Sequence, residues 1–190
     1  MNSKILVCYK SVTGFTKQYA EMIAEEIDCT IMNFKDVTLE TISQYDTVVF
    51  GGRCYAGSVD GLKKAKELIT KGGVKTFVVF ATGATPNSEE KIIHDAWEKN
   101  FTPDELHNIP HFYMQGGLRY EKMPFIEKLM MKAFAAVMKN KVKNKKDKTE
   151  EDMEFERVIS NSYDISSKEY IEPLVSFLKE KNRTPHEKKS

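Results

Sequence analysis

The apolar residues of this chain fall into two patterns that alternate along its first two thirds. Five segments are short, continuous apolar runs, as in strands that are buried on both faces of a parallel sheet. They are residues 4–9, 29–34, 47–52, 75–81 and 111–116. Between them, apolar residues recur at helical spacing over 15–27, 60–71 and 88–100, with shorter helical turns near 38–44 and 103–107. The alternation predicts an α/β domain with a doubly wound, five-stranded parallel sheet.

Two of the predicted helices carry cap signals at their N-termini. Thr102, Pro103 and Glu105 have the types and spacing of an N-cap, a first-turn proline and a capping-box partner. Asn87 and Glu90 have the same relation near the start of the helix predicted over 88–100. Both pairs predict where a helix begins.

The pattern changes after residue 117. A helix is predicted to begin at Pro124 and to carry one broad apolar face, formed by Ile126, Leu129, Met130, Ala133, Phe134, Val137 and Met138. Residues 139–148 are rich in lysine and are predicted to be solvated and mobile. A last helix is predicted over 167–181. We therefore predict one domain over residues 1–182, with an insertion at 118–160 and a frayed tail at 183–190.

Composition excludes several classes of protein. With 190 residues and 41% apolar residues, the chain suits a single core. Its 29 basic and 28 acidic residues give a net charge of +1, which argues against a nucleic-acid partner. Cys8, Cys29 and Cys54 are far apart and no histidines cluster, so no disulfide framework and no metal site are predicted. There is no run of eighteen apolar residues, and a cytoplasmic location is expected.

The segment SVTGFT, residues 11–16, lies between the first apolar run and the first helical pattern. Ligands bind beyond the carboxyl ends of the strands in open parallel sheets, and a helix N-terminus there suits an anion. Ser11, Thr13 and Thr16 would add hydroxyl donors, and Gly14 would let the main chain approach closely. The segment lacks the signatures of the mononucleotide P-loop and the dinucleotide loop, so one terminal phosphate is the predicted ligand. An ordinary capped turn is the alternative.

This segment resembles the loop that binds the FMN phosphate in flavodoxins, [ST]-x-T-G-x-T, and matches it at every fixed position. The resemblance implies the sheet order 2-1-3-4-5 and FMN as the cofactor, with the flavin ring between residues 51–61 and 81–89. The residues then implied at the phosphate are Ser11, Val12, Thr13, Gly14, Phe15 and Thr16. Those implied at the ring are Arg53, Cys54, Tyr55, Ala56, Gly57, Thr82, Gly83 and Ala84.

Three features together resemble a narrower family, the flavodoxin-like, menaquinone-dependent protoporphyrinogen dehydrogenases. They are TGFT, RCYAG and GGLRYEKMPFIEKLMMKAF, the last of which contains the G-x-L-R-Y element of Gly116, Leu118, Arg119 and Tyr120. This resemblance implies a quinone-linked oxidoreductase of heme biosynthesis, with Arg119 and Tyr120 at the substrate. Arg53 and Arg119 would pair with the propionates of a porphyrinogen or, alternatively, with local acids.

The alternative function is a flavodoxin-type electron carrier, which shares the cofactor and differs in its redox partner. Flavodoxin carriers are strongly acidic, whereas this chain has balanced charge. The balance predicts that adding a second electron is less disfavoured here than in an acidic flavodoxin. Since the flavin supplies the reactive atom, no catalytic side chain is assigned. A domain that keeps the fold without the cofactor is the third class.

The segment 124–148 has three interpretations. Its apolar face with nearby lysines could lie on an anionic membrane, at the inner face, and admit a lipid quinone. It could also cover the sheet, or form the interface of a homodimer. The redox partner itself would be a small molecule or a protein.

Overall fold

The computed structural model describes residues 4–145, 147 and 149–182. Its central sheet contains the five predicted strands and a short sixth one. In chain order they are Ile5–Lys10 (β1), Thr30–Asn33 (β2), Thr47–Tyr55 (β3), Ser58–Val59 (β4), Thr76–Gly83 (β5) and His111–Gln115 (β6). The parallel strands follow the order β2-β1-β3-β5-β6, and β4 pairs antiparallel with β3. The predicted fold class and sheet order are confirmed.

Eight α-helices belong to the described part of the chain. They are Phe15–Glu26 (α1), Leu39–Ile42 (α2), Leu62–Gly72 (α3), Glu90–Asn100 (α4), Pro103–Asn108 (α5), Phe125–Asn144 (α6), Glu150–Ile159 (α7) and Glu172–Asn182 (α8). On one face of the sheet, α1 and α8 bury Tyr19, Ile23 and Leu174. On the other face, α3 and α4 bury Leu62 and Trp97. Apolar cover on both faces explains why the strands are continuous apolar runs.

The two predicted caps have different outcomes. The Thr102 hydroxyl accepts from the Glu105 N–H, and the Glu105 carboxylate accepts from the Thr102 N–H, so the capping box is confirmed. The Asn87 prediction is wrong, because α4 begins at Glu90 behind Glu89, with no side-chain cap. The N–H of Asn87 donates instead to Oε1 of Gln115, at 3.0 Å. A tertiary contact has replaced the local one.

The chain divides into two compact units, residues 1–116 with 166–190, and Gly117–Ile165. The predicted insertion, 118–160, lies inside the second unit. This unit contains α6, α7 and an antiparallel pair of short strands, Gly117–Leu118 (β7) and Tyr163–Asp164 (β8). The lysine-rich segment is helical up to Asn144, because α6 continues that far. Its described lysines are exposed, as predicted, and its mobility stays a prediction. Residues 146 and 148, and the predicted tail at 183–190, lie outside the described residues.

The last helix of the first unit begins later than predicted. A 3₁₀ turn covers Lys168–Ile171, and α8 follows from Glu172. Pro173 therefore lies in the first turn of α8, where its missing N–H breaks no helical hydrogen bond.

Candidate functional site

The loop after β1 forms a tight turn that leads into α1 at Gly14. Gly14 is the N-cap of α1 and has a φ of 98°, in the left-handed region that glycine adopts easily. Its N–H donates to Oγ of Ser11, at 3.1 Å. The first turn of α1 contains no acidic residue. Because the first N–H groups of an α-helix point outward and the dipole is positive there, this helix start suits an anion.

The hydroxyl of Thr16 lies deeper than the phosphate prediction implies. Thr16 is buried, and its Oγ1 lies 2.8 Å from Oγ1 of Thr82, which is also buried. Phe15 is buried beside it, whereas Ser11, Val12 and Thr13 are only half-buried. The structure therefore uses the Thr16 side chain to tie the loop to β5. Ser11 and Thr13 are the hydroxyls nearest to the surface.

The end of β6 also supports this loop. The N–H of Gly116 donates to the carbonyl of Gly83 at 2.8 Å, so the chain beyond β6 still follows β5. A Cβ on Gly116 would lie 2.9 Å from the ring of Phe15, closer than real contacts allow. The hydroxyl of Tyr19 in α1 donates to the carbonyl of Gln115. Gly116 is thus required for close packing between the end of β6 and the start of α1.

The segment after the third predicted strand is a β-hairpin rather than a loop. Strand β3 extends to Tyr55, which pairs with Ser58 of β4. The two residues between them, Ala56 and Gly57, have φ values of 50° and 78°. Two consecutive residues with positive φ are the signature of the tight type I′ turn. Arg53, Cys54 and Tyr55 therefore lie on a strand, and only Ala56 and Gly57 form the turn.

Asn100, at the end of α4, holds this hairpin and was missed in the sequence. Its Nδ2 donates to the carbonyl of Gly57 at 2.7 Å, and its Oδ1 accepts from the N–H of Val59 at 2.9 Å. Nζ of the neighbouring Lys99 donates to the carbonyl of Ala56, at 3.1 Å. The only sequence signal was an asparagine at the end of a helix, where such residues are common. Its partners lie about forty positions away, as the hydrogen bond to Val59 shows.

Replacement of Asn100 by alanine is expected to loosen the hairpin. It leaves one carbonyl and one N–H without their partner, at a cost of about 1–3 kcal/mol for each group that stays dry. The free energy of unfolding from urea denaturation should fall by about 2 kcal/mol. Asn108→Ala is the matched control, because Asn108 donates only to Asp104 in its own exposed helix. Equal losses in the two variants would contradict this role of Asn100.

Arg53 is paired with a local acid. Its Nε donates to Oδ2 of Asp60 at 2.6 Å, and its guanidinium lies 4.9 Å from the centroid of the Tyr55 ring. Nζ of Lys10 lies 4.0 Å from the other oxygen of Asp60. Of the two sequence interpretations of Arg53, the structure shows the contact with a local acid. The base of the hairpin thus carries two cations and one carboxylate.

The segment after the fourth parallel strand begins later than predicted. Thr82 and Gly83 belong to β5 and pair with Met114 and Gln115, so their main-chain groups take part in the sheet. Ala84 is the first residue beyond the strand. A cleft of about 250 Å³ lies beside the hairpin, and α4 forms most of its wall. Cys54 and Gly57 of the hairpin and Thr85 of this segment also line it, whereas Thr82, Gly83, Ala84 and residues 11–16 do not.

Residues 6–149, more than half of the chain, match the family described as Flavodoxin domain. The chain belongs to the flavodoxin domain family. No protein with a curated description matches it.

Several solved structures are similar to this flavodoxin domain at low identity. A WrbA-like flavodoxin from Agrobacterium tumefaciens is 21% identical, with 58% of this chain and 83% of that chain covered and a TM-score of 0.39. A flavodoxin from the domain Archaea is 16% identical, covering 93% and 99%, with a TM-score of 0.39. A flavoprotein from Lactobacillus acidophilus, in complex with FMN, is 18% identical, covering 60% and 92%, with a TM-score of 0.42.

The cysteines of this flavodoxin domain are thiols with raised pKa values. Burial raises the pKa of Cys8 to about 12 and that of Cys29 to about 11. Burial also raises the pKa of Cys54, beside the cleft. A raised pKa keeps the Cys54 thiol protonated at neutral pH, so it is not an activated thiolate. In the described part of the chain, no three His, Cys, Asp or Glu side chains stand together as a metal site.

Arg119 and Tyr120 lie in the second unit, Gly117–Ile165. Nη2 of Arg119 donates to Oδ2 of Asp164 at 2.6 Å. Tyr120 is buried, and its hydroxyl donates to the carbonyl of Ile159 at 2.5 Å. Burial raises the pKa of this phenol. Both residues therefore have structural partners inside their own unit.

Among the described helices, none has the length and apolar character needed to cross a membrane.

Proposed function

We propose that this chain is an FMN-dependent redox protein. The observation that carries the proposal is the turn at Gly14, which opens α1 in the left-handed conformation without any acidic residue in the first turn. Its family membership supports the proposal. The flavoprotein from Lactobacillus acidophilus, similar at low identity, is in complex with FMN. The left-handed turn at Gly14 and the start of α1 suit the phosphate monoester of FMN better than a pyrophosphate or a triphosphate.

The residues of the chain fit this cofactor at both ends. Main-chain N–H groups at the start of α1, with the hydroxyls of Ser11 and Thr13, would hold the phosphate without a lysine in the loop. The hairpin turn and the segment that begins at Ala84 would frame the ring. Bound FMN supplies one-electron and two-electron redox chemistry, so the protein needs to provide binding, orientation and electrostatics.

The charges around the hairpin favour an oxidoreductase that transfers two electrons. Arg53 and Lys10 flank Asp60 at the base of the hairpin, and Lys99 contacts its turn. Three cations against one carboxylate at the hairpin lower the cost of placing negative charge beside it. Asp95, the carboxylate that lines the cleft, is paired with Lys91. A potentiometric titration of the FMN-loaded protein is expected to give one wave in which the two electron steps overlap. Two widely separated steps would contradict this part of the proposal.

Titration with two ligands tests the cofactor assignment itself. FMN and riboflavin share the ring and differ only in the phosphate. The difference between their affinities therefore measures how tightly the turn at Gly14 binds the phosphate. We expect FMN to bind to the apoprotein one to one, and riboflavin to bind about a hundredfold more weakly, because two or more charge-assisted hydrogen bonds are lost. Equal affinity for the two ligands would show that the turn binds no phosphate, and no binding of either would remove the proposal.

The more specific function in this proposal is a quinone-linked dehydrogenase that acts on a porphyrinogen. It rests on the resemblance carried by Gly116, Leu118, Arg119 and Tyr120. Anaerobic mixing of the FMN-loaded protein with protoporphyrinogen should bleach the flavin absorbance, and a menaquinone analogue should restore it. An electron carrier is the second candidate, because Arg53 and Arg119 both pair with acids of their own unit. The absence of bleaching would favour the carrier.

A pair of variants tests whether Arg119 contacts the substrate. Arg119→Ala and Asp164→Ala each remove the same partly exposed ion pair, which contributes about 1 kcal/mol or less to stability. If Arg119 binds a propionate, porphyrinogen turnover should fall at least about tenfold in Arg119→Ala only. FMN occupancy should stay unchanged in both variants. Equal turnover in the two variants, whether high or low, would leave Arg119 with a structural role only.

A further inference from the structure

Helix α6 has two apolar faces, and only one of them is covered. Ala135 and Val142 are buried, and Met131 and Met138 are half-buried, which defines the inner face. The opposite side carries six large apolar side chains that are exposed. Their exposed fractions run from 45% for Phe134 to 81% for Phe125. We call these six residues the outer stripe: Phe125, Ile126, Leu129, Met130, Phe134 and Val137.

The outer stripe is continuous along the helix. Its members follow one another at helical intervals of three and four residues, so they share one side. From Ile126 to Val137 the stripe is about 17 Å long, at 1.5 Å per residue. Contiguous exposed apolar surface of this kind on a soluble domain marks a site of interaction.

Lysines line one edge of the outer stripe. Lys128, Lys132, Lys139 and Lys143 recur at intervals of four, seven and four residues, so they form a row along the helix between the two apolar faces. Lys141 continues the outer stripe itself at its C-terminal end. Glu127 is the one acidic residue of α6. The helix thus combines an apolar side with a basic edge.

The acidic helix α7 does not cover this surface. It packs against α6, but the outer stripe is exposed, so α7 lies on another side of α6. Two of its carboxylates are paired with cations. Oε1 of Glu156 lies 3.6 Å from Nζ of Lys139, and Oε1 of Glu154 lies 2.8 Å from Nη2 of Arg157. The basic edge therefore retains Lys132 and Lys143 as exposed cations.

We propose that the outer stripe and the lysine row of α6 bind the surface of an anionic lipid bilayer. An interfacial helix inserts an apolar face at the boundary between headgroups and acyl chains, while lysines reach the lipid phosphates. Anionic headgroups attract such lysines, and long lysine side chains reach the headgroups while their stems stay apolar. The outer stripe supplies the first component and the lysine row supplies the second.

A second copy of the chain fits this surface less well. Stable protein interfaces bury roughly 800 Å² on each partner, from about 20–30 residues a side. The outer stripe offers six large side chains. In a two-fold dimer of antiparallel α6 helices, the same edge of both helices lies on the same side, so the two lysine rows would face each other and repel. A lipid surface avoids this repulsion.

Co-sedimentation of the full chain with vesicles tests this proposal. The vesicles contain phosphatidylcholine alone or phosphatidylcholine mixed with phosphatidylglycerol. We expect binding to the mixed vesicles at low salt and weaker binding as salt rises. Leu129→Asp should lower the partition coefficient at least about tenfold, because it places a charge in the outer stripe. The matched control is Leu39→Asp, since Leu39 is 43% exposed in α2 and should not affect binding.

A fluorescence measurement distinguishes insertion from electrostatic adsorption. The native chain has one tryptophan, Trp97, and it is buried. Tryptophan in Leu129→Trp should be quenched by brominated acyl chains, whereas tryptophan in Leu39→Trp should not. The proposal is overturned if mixed vesicles bind no protein at low salt, or if Leu129→Asp binds as well as Leu39→Asp. It is also overturned if the native chain is a dimer that Leu129→Asp dissociates and that binds no vesicles.

Discussion

Gly14→Val is expected to abolish high-affinity FMN binding while the chain still folds. At a φ of 98°, a side chain is strained, and a β-branched one most of all. The loop can relieve the strain only by moving, which breaks the hydrogen bond from Gly14 to Ser11 and turns N–H groups away from the phosphate. Loss of two charge-assisted hydrogen bonds raises the Kd by a factor of about one hundred or more. Quenching of FMN fluorescence measures this Kd.

Gly73→Val is the matched control for this prediction. Gly73 has a φ of 63° at the end of α3, and a Cβ there would meet no atom within 4 Å. Both valines impose backbone strain of about 1–2 kcal/mol or more, so both variants should lose stability. Only Gly14→Val should lose FMN affinity. Unchanged FMN affinity in Gly14→Val would show that the left-handed turn is not part of the cofactor site.

Gly116→Ala is expected to destabilise the first unit and to weaken FMN binding together. The new Cβ would lie 2.9 Å from the ring of Phe15, the first residue of α1. Phe15 is buried, so its ring has little room to move, and overpacking of this kind costs about 1–3 kcal/mol. Movement of Phe15 would also shift the start of α1, where the phosphate is expected. Urea denaturation and FMN titration of the same variant measure both effects.

A second substitution at Phe15 identifies the cause of that loss. Phe15→Leu removes part of the ring that the alanine would meet. Combined with Gly116→Ala, it should cost less than the sum of the two single substitutions, because both act on one contact. Strict additivity of the two stability changes would rule out this contact as the reason for a glycine at position 116.

The parallel sheet was predictable because burial on both faces leaves a clear record in the sequence. A strand inside such a sheet needs apolar residues at successive positions, because both of its faces are covered. Five continuous apolar runs therefore predicted five strands. The hairpin of β3 and β4 left a much weaker record. Its turn is Ala56 and Gly57, and alanine at a φ of 50° gives no sign of the left-handed conformation. The third strand was therefore predicted to end at residue 52, whereas β3 continues to Tyr55.

The contacts that hold the site depend on distant positions and could not be predicted. Thr16 and Thr82 are separated by sixty-six positions, and their hydroxyls share one buried hydrogen bond. In the sequence, Thr16 resembles a donor for the phosphate and Thr82 resembles a residue beside the flavin ring. Only the fold shows that one hydroxyl is used between two elements. Asn100 gives the same lesson, since its partners are main-chain groups of the hairpin, which no pattern of side chains identifies.

The periodicity of α6 identified an apolar face but not what covers it. The predicted face is the exposed one, at Ile126, Leu129 and Val137. The face that is actually buried includes Ala135, a small residue with little weight in a hydropathy pattern, and Val142, within the segment predicted to be mobile. A helix that is apolar on two sides has no single best direction, so the sequence alone could not assign its neighbours.

The antiparallel pairing of β7 and β8 brings the two ends of the second unit together. Gly117 lies opposite Asp164, and a Cβ on Gly117 would meet the carbonyl oxygen of Tyr163 at 2.2 Å. A long insertion whose ends already meet adds little loop-closure entropy to the chain that receives it. We therefore expect the segment to be removable, like the inserts that proteins accept at surface turns. A short linker in place of residues 117–165 would join β6 to the 3₁₀ turn before α8, and flavin chemistry and surface binding would become separable properties.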